Sequence, residues 1–198
     1  MTKSSEKDGT TKTNILNATL ELIKTEGLEK ITLRKIAAAA DVNLALINYY
    51  FGSKDKLINE TLKVLLASFQ EAFSILDDYS MPPKERFKTF LLHYINSIIV
   101  YPELLREMLG KGDISFESQL DYKNFMKTMG LNKIKMTIQE ITGVEDSDIL
   151  TMMMMQIHAA FFFPILMACK QNAPIIWNPI PIEKQIDHLF SHYFAKYS

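Results

Sequence analysis

Asn43, Asn48, Tyr49 and Lys54 fall within one short stretch, VNLALINYYFGSK. Two amides, a phenol and an ammonium at these intervals can do one kind of chemistry well, which is hydrogen bonding to nucleic acid. An asparagine amide pairs with adenine, small apolar groups meet thymine methyls, and a tyrosine hydroxyl or a lysine reaches phosphate. A helix starting after Asn43 would turn Ile47, Tyr50 and Phe51 inward. Leu44, Ala45, Leu46, Asn48 and Tyr49 would then face outward as an apolar, amide-bearing surface that suits a DNA major groove. A loose hydrophobic hairpin is the alternative, but packing alone requires neither Asn48 nor the polar tip of Tyr49.

Such a face needs elements to hold it. Thr32 is a good N-cap for a preceding helix, and Leu33, Ile36, Ala37 and Ala40 follow it at i, i+3, i+4 and i+7 as one apolar stripe. Asp41 sits where the chain must turn sharply, in a left-handed conformation that Asp tolerates well. Asn43 can cap the second helix. Gly52-Ser53 ends it, and Ser53 can cap a third that opens Lys54-Asp55-Lys56. Lys54 then lies at a helix N-terminus, where phosphate is favoured by the free N–H groups as well as by the ammonium.

This helix-turn-helix block resembles the DNA-binding signature of the TetR family of one-component repressors. The resemblance is carried by Thr32, Ile36, Ala37, Ala40, Val42, Asn43, Ile47, Tyr49, Tyr50, Phe51 and the run Ser53-Lys54-Asp55-Lys56-Leu57. Asp41 stands where the family's turn glycine is usual, and Asn48 where a tyrosine is common. The resemblance implies an all-helical effector domain after the signature and a homodimer on a near-palindromic double-stranded operator. It also implies that a small hydrophobic effector releases a repressor from that operator. Asn48 and Tyr49 are expected to contact the operator, with Leu44, Ala45 and Leu46 against base edges and sugars. Thr32, Arg34, Tyr50 and Lys54 are expected to hold phosphates, and Asn43 to sit beside them.

Bulk properties agree without deciding the matter. The chain of 198 residues is 47% hydrophobic and 23% charged, with a formal net charge of −1, so it reads as an ordinary globular protein. Residues 1–56 carry nine Lys/Arg against seven Asp/Glu; residues 57–198 carry thirteen against sixteen. The first part is therefore +2 and the remainder −3, the sign expected if the first part meets DNA. A single cysteine, Cys169, excludes an intramolecular disulfide and fits a reducing cytoplasm. The N-terminus lacks the apolar core of a signal peptide, and the longest apolar stretch is too short to span a membrane.

The expected fold is all-α, a three-helix DNA-binding domain followed by a helical effector-binding and dimerisation bundle, about nine helices in all. Residues 1–10 lack periodicity and read as a flexible tail whose Lys3 and Lys7, with Lys12 just beyond, can brush phosphates. The DNA-binding domain spans 11–56 and the ligand-binding and dimerisation domain 57–198, joined by a long helix over 54–78 that can act as a lever. Pro82-Pro83 punctuates the chain before a helix over 84–100. Further helices are expected at 103–109, 116–142 (with Gly130 as a break or bend), 146–170 and 182–197. The segment 146–170 is apolar nearly all round and should be buried from more than one side, with Pro164 kinking it. Together with 182–197 it is the expected dimer seam.

The second domain is rich in aromatics and methionines. Phe87, Phe90, Tyr94, Phe125, Met129, Met152, Met155, Gln156 and Phe163 are candidates to line an apolar effector cavity, with Met136, His93 and His158 near them. Plain core packing is the competing reading for each. His188 and His192 have i, i+4 spacing but no further ligand on their face, so no metal and no cofactor is expected. No phosphate loop, nucleophile elbow or catalytic dyad occurs in the sequence, and an enzyme is not expected. The rival function is a ligand-binding sensor whose helix-turn-helix no longer reads DNA specifically.

Overall fold

The computed structural model describes residues 3–102, 104, 116–168 and 180–197. Helix is the only regular structure among the described residues, as the periodicity predicts. The chain divides into two compact units, one made of 1–67 and 103–121, the other of 68–102 and 122–198.

In the first unit, α1 (Lys3–Glu26) presents Ile15, Thr19 and Ile23 as its buried face. The Thr19 hydroxyl donates to the Ile15 carbonyl at 2.7 Å, which allows a polar residue to be fully buried there. The helix starts at Lys3, inside the segment read as a tail. Nothing apolar repeats before Thr11, yet extending a helix already nucleated by packed residues costs little, so polar residues continue it backwards. Gly27, at φ 78°, ends α1. Next come α2 (Leu33–Ala39), α3 (Leu44–Phe51) and α4 (Lys54–Ala72). Ile36, Ile47, Phe51, Leu57, Ile58 and Leu62 are buried in this unit. The Asn59 side-chain oxygen accepts from the Ser118 amide at 3.0 Å.

α4 contributes residues to both units. Its α geometry ends at Ala72, and the expected continuation to Asp78 is a tighter 3-10 segment, Phe73–Asp77. In the second unit, α5 (Pro83–Ile99) begins with proline at a first-turn position, where the missing N–H has no intrahelical partner to lose. α6 (Glu117–Phe125) runs through a π turn, Met126–Gly130, into α7 (Leu131–Thr142) without interruption. Gly130 neither breaks nor ends this helix. It is buried in the π turn, where an added Cβ would come within 2.9 Å of Met126 Sδ and 3.2 Å of the Phe73 ring. α8 (Ser147–Ala168) contains Pro164, and α9 (Ile182–His188) passes into a second π turn, Leu189–Tyr193. The helix expected over 103–109 lies outside the described residues apart from Leu104, as do Cys169 and the loop with Trp177.

The core of the second unit is aromatic. Phe73 packs edge-on against Tyr94 and Phe125, while Phe90 stacks on Tyr94 at 5.3 Å and on Phe87 at 6.2 Å. Charge pairs fasten its periphery: Lys133 to Asp77, Lys88 to Asp187, and the fully buried Arg86 to Glu140. α8 differs from expectation. Leu150, Met153, Ile157 and Phe161 form its buried stripe, but Ile149, Met152, Met155 and Phe163 are exposed. Within one chain it is buried on one side, although its sequence is apolar all round.

Candidate nucleic-acid interface

The turn between α2 and α3 is built as its sequence dictates. Thr32 accepts from the Lys35 amide at 3.3 Å through its hydroxyl and starts α2. At the other end Asp41 adopts φ 52°. The Val42 amide reaches back to the Ala37 carbonyl at 3.0 Å and the Asp41 amide to Ala38 at 3.4 Å, a Schellman closure. Asp41 thus performs the role expected of a turn glycine. Asn43 Oδ1 accepts from the Leu46 amide at 2.8 Å and caps α3. Gly52, at φ 76°, ends α3 with its amide on the Asn48 carbonyl at 2.9 Å. Ser53 Oγ accepts from the Lys56 amide at 3.2 Å and opens α4.

These constraints fix which face of α3 turns out. Ile47 and Phe51 are buried; Leu44, Ala45, Asn48 and Tyr49 are exposed, Tyr49 at 76%. Leu46 and Tyr50 are half-buried, so Tyr50 belongs neither to the core nor to open surface. Its ring meets Tyr49 edge-on at 5.2 Å and Phe51 at 6.4 Å, and so supports the exposed phenol from behind. Thr32, the N-cap of α2, and Arg34, on its first turn, are exposed, and Lys54 is half-buried on the first turn of α4. Two other cations are committed elsewhere. Lys35 pairs with Glu26 and donates to the Lys30 carbonyl, while Lys12 pairs with Glu60 and lies over the Phe51 ring. Lys12, expected to brush phosphate, instead braces α1 against α4.

The expected ligand-lining residues separate into two groups. Phe87, Phe90 and Tyr94 are buried together around an apolar void of about 10 Å³, room for roughly one water-sized sphere. Ile134, Ile157, His158, Phe161 and Phe162 complete its wall. Phe125 is half-buried against Phe73. Met129, Met152, Met155, Gln156 and Phe163 do not join them: they are exposed, the last four on the outer side of α8. A helix apolar on every side gives periodicity no inward face to report, so the sequence does not separate these residues from the buried stripe. Met136 is likewise exposed, and His93 does not line the void.

The polar groups of this core carry shifted proton affinities. The Tyr94 and Tyr122 hydroxyls lie 2.6 Å apart in apolar surroundings; burial pushes the Tyr94 phenol up to about 12, and the Tyr122 phenol is also raised. His158 Nδ1 lies 2.8 Å from the Met154 carbonyl, and its ring stacks on Phe162. Burial pushes its pKa below the usual histidine value, against the opposing pull of that carbonyl. Sequence reasoning does not single out Tyr122, because a lone tyrosine in a polar helix gives no sign of its partner.

The fold and the capped helix pair define a helix-turn-helix protein with an all-helical second unit. Residues 15–61 match the family described as bacterial regulatory proteins, tetR family. It is 30% identical over 95 residues to the HTH-type transcriptional repressor NicS of Pseudomonas putida, covering 48% of this chain and 45% of that one. It is also 30% identical over 77 residues to the regulator BetI of Rhizobium meliloti, covering 39% and 38%. The matched stretch thus spans less than half the length of these relatives. The fold extends further. A TetR-like transcriptional regulator from Rhodococcus sp. RHA1 superposes with a TM-score of 0.64 at 16% identity, over 91% of this chain and 92% of that one. The TetR family regulator PfmR from Thermus thermophilus gives 0.65 at 16%, over 92% and 96%. Among the described residues no helix is long and apolar enough to cross a membrane.

Proposed function

We propose that the protein is a sequence-specific, DNA-binding transcriptional repressor acting in the cytoplasm as a homodimer, without enzymatic activity. The observation that carries this reading is α3 itself. It is capped by Asn43, closed by Gly52, and turns Leu44, Ala45, Asn48 and Tyr49 outward. One α3 per protomer enters successive major grooves of a near-palindromic operator, and Thr32, Arg34, Tyr50 and Lys54 hold the flanking phosphates. The exposed apolar side of α8, Ile149, Met152, Met155 and Phe163, is covered by the same helix of a second copy. The outward residues of α9, among them Glu183, Lys184, Asp187 and His188, are charged or polar and lie at the rim of that seam. A small apolar effector enters the second unit between α5 and α8 and shifts the population toward a conformation that binds the operator poorly.

The test is DNA binding by the purified full chain to its own upstream region, with footprinting across a salt series. Two protected half-sites, bound more tightly than random DNA at moderate salt, support the reading. Weak binding everywhere that vanishes with salt refutes it in favour of a sensor that no longer reads DNA. Lys54→Ala should weaken operator and random DNA alike and lower the magnitude of the salt slope by about 0.9 for each phosphate that Lys54 neutralises.

A further inference from the structure

Along its whole length α3, LALINYYF, carries no charged side chain. The commonest base-specific contact in a major groove is an arginine or lysine on guanine O6 and N7, and this helix has no group able to make it. The nearby cations do not supply one from α3. Lys35 and Lys12 are held by Glu26 and Glu60, while Arg34 and Lys54 stand on the first turns of α2 and α4, where phosphate is favoured.

What the face does offer is specific in another direction. Asn48 is exposed, and its side-chain amide has no partner among the described residues, whereas Asn43 spends its oxygen on the cap. A free amide presents a donor and an acceptor side by side, the complement of adenine N7 and N6. Leu44, 38% exposed, and Ala45 present hydrocarbon with no polar atom, the complement of the thymine C5 methyl. The phenol of Tyr49, propped by Tyr50, reaches outward beside them.

We infer that α3 reads A·T base pairs: each operator half-site presents an adenine to Asn48 and thymine methyls to Leu44 and Ala45, and this helix recognises no guanine. The inference rests on the regulator reading above and adds the base composition of its target.

The experiment has two stages, both with the full chain. Bound duplexes are first selected from a random library by the parent protein and by its Asn48→Ala and Leu44→Ala variants. Base pairs whose preference changes in a variant are those that α3 faces. The expected result is two inverted half-sites with A·T at those pairs, Asn48→Ala losing about 5- to 150-fold of its discrimination at one adenine. Thymine is then replaced by uracil at those pairs, which removes the methyl and leaves every hydrogen-bonding group in place. Binding should weaken about fourfold for each methyl that α3 touches, the equivalent of one buried methylene. Guanine at the α3-facing pairs, or uracil binding as tightly as thymine, overturns the inference while leaving the regulator reading intact. If no inverted sequence is enriched at all, the regulator reading fails, and this inference with it.

Discussion

Arg86 is 1% exposed in the second unit, and its Nε has no hydrogen-bond partner among the described residues. One face of the guanidinium lies 4.5 Å from the centre of the Tyr79 ring, and one Nη is paired with Glu140, whose side chain is 34% exposed. The two ends of this ion pair are therefore unequal, and removing them one at a time should have unequal effects. Glu140→Ala leaves a guanidinium with almost no access to water, no hydrogen-bonded counter-charge and only the weaker electrostatic pull of Asp78, a situation that costs up to about 3–5 kcal/mol. Arg86→Met leaves a carboxylate that is one-third exposed and can hydrate, removes the unpaired Nε, and keeps most of the buried volume. Its losses are the ion pair and a cation–π interaction worth about 0.5–1 kcal/mol, so the net change should lie within about 1 kcal/mol of zero. For a chain of this size 1 kcal/mol moves the melting temperature by about 2–4 °C, which puts Glu140→Ala roughly 6–20 °C below the parent and Arg86→Met within about 4 °C of it. Thermal unfolding followed by circular dichroism at fixed protomer concentration checks both, the fixed concentration removing the effect of any dimer equilibrium. Equal losses for the two variants would refute the reasoning, since they would mean that the pair itself, and not the stranded buried charge, sets the cost.

Three further outcomes follow from the same geometry. Asn43→Ala removes the oxygen that accepts from the Leu46 amide and should cost about 1 kcal/mol, seen as a melting temperature lower by about 2–4 °C; no change would mean that the helix start is fixed by packing instead. Met155, 64% exposed, should tolerate Glu with little change in the fold of one chain, within about 0.5 kcal/mol, but a carboxylate there should drive the assembly to monomer mass in light scattering; an unchanged dimer would remove α8 from the seam. His158 has a folded pKa pushed below its unfolded value, so the unfolded chain binds more protons, and stability should fall as pH drops through about 6.5. Urea midpoints at pH 7.5 and 5.5 should differ less in His158→Leu than in the parent, and equal differences would count against a half-buried neutral imidazole.

The helix-turn-helix is legible in the sequence because its instructions are local. Thr32, Asp41, Asn43, Gly52 and Ser53 each act on backbone groups within three or four residues, so type and spacing alone specify the turn. The second unit is less legible, for two physical reasons. α8 is apolar on every side, so nothing in LTMMMMQIHAAFFF distinguishes Met153 and Phe161, which are buried, from Met152 and Phe163, which are exposed. Arg86, Tyr94 and Tyr122 owe their character to partners 28 to 54 residues away, and a charge or phenol in an amphipathic helix reads as surface until that partner is known. The start of α1 and the π turns at 126–130 and 189–193 escape the sequence for a third reason: they are small adjustments of helical geometry that leave the pattern of residue types almost unchanged.

The aromatic core bears directly on how an effector would act. A void of about 10 Å³ is some thirty times smaller than the roughly 300 Å³ at which pockets for drug-sized ligands begin. Binding therefore requires side chains to move, and the wall shows which can. Phe87, Phe90 and Phe161 are buried, the first two locked by ring contacts, whereas His158 and Phe162 stack on each other at 5.7 Å at the less enclosed end. Opening at that pair exposes the Tyr94 ring, which Phe162 meets edge-on at 6.4 Å, and behind it the hydroxyl pair of Tyr94 with Tyr122. In the proposed mechanism, a ligand that fits the opened arrangement and not the closed one would have the differential affinity that population shift requires.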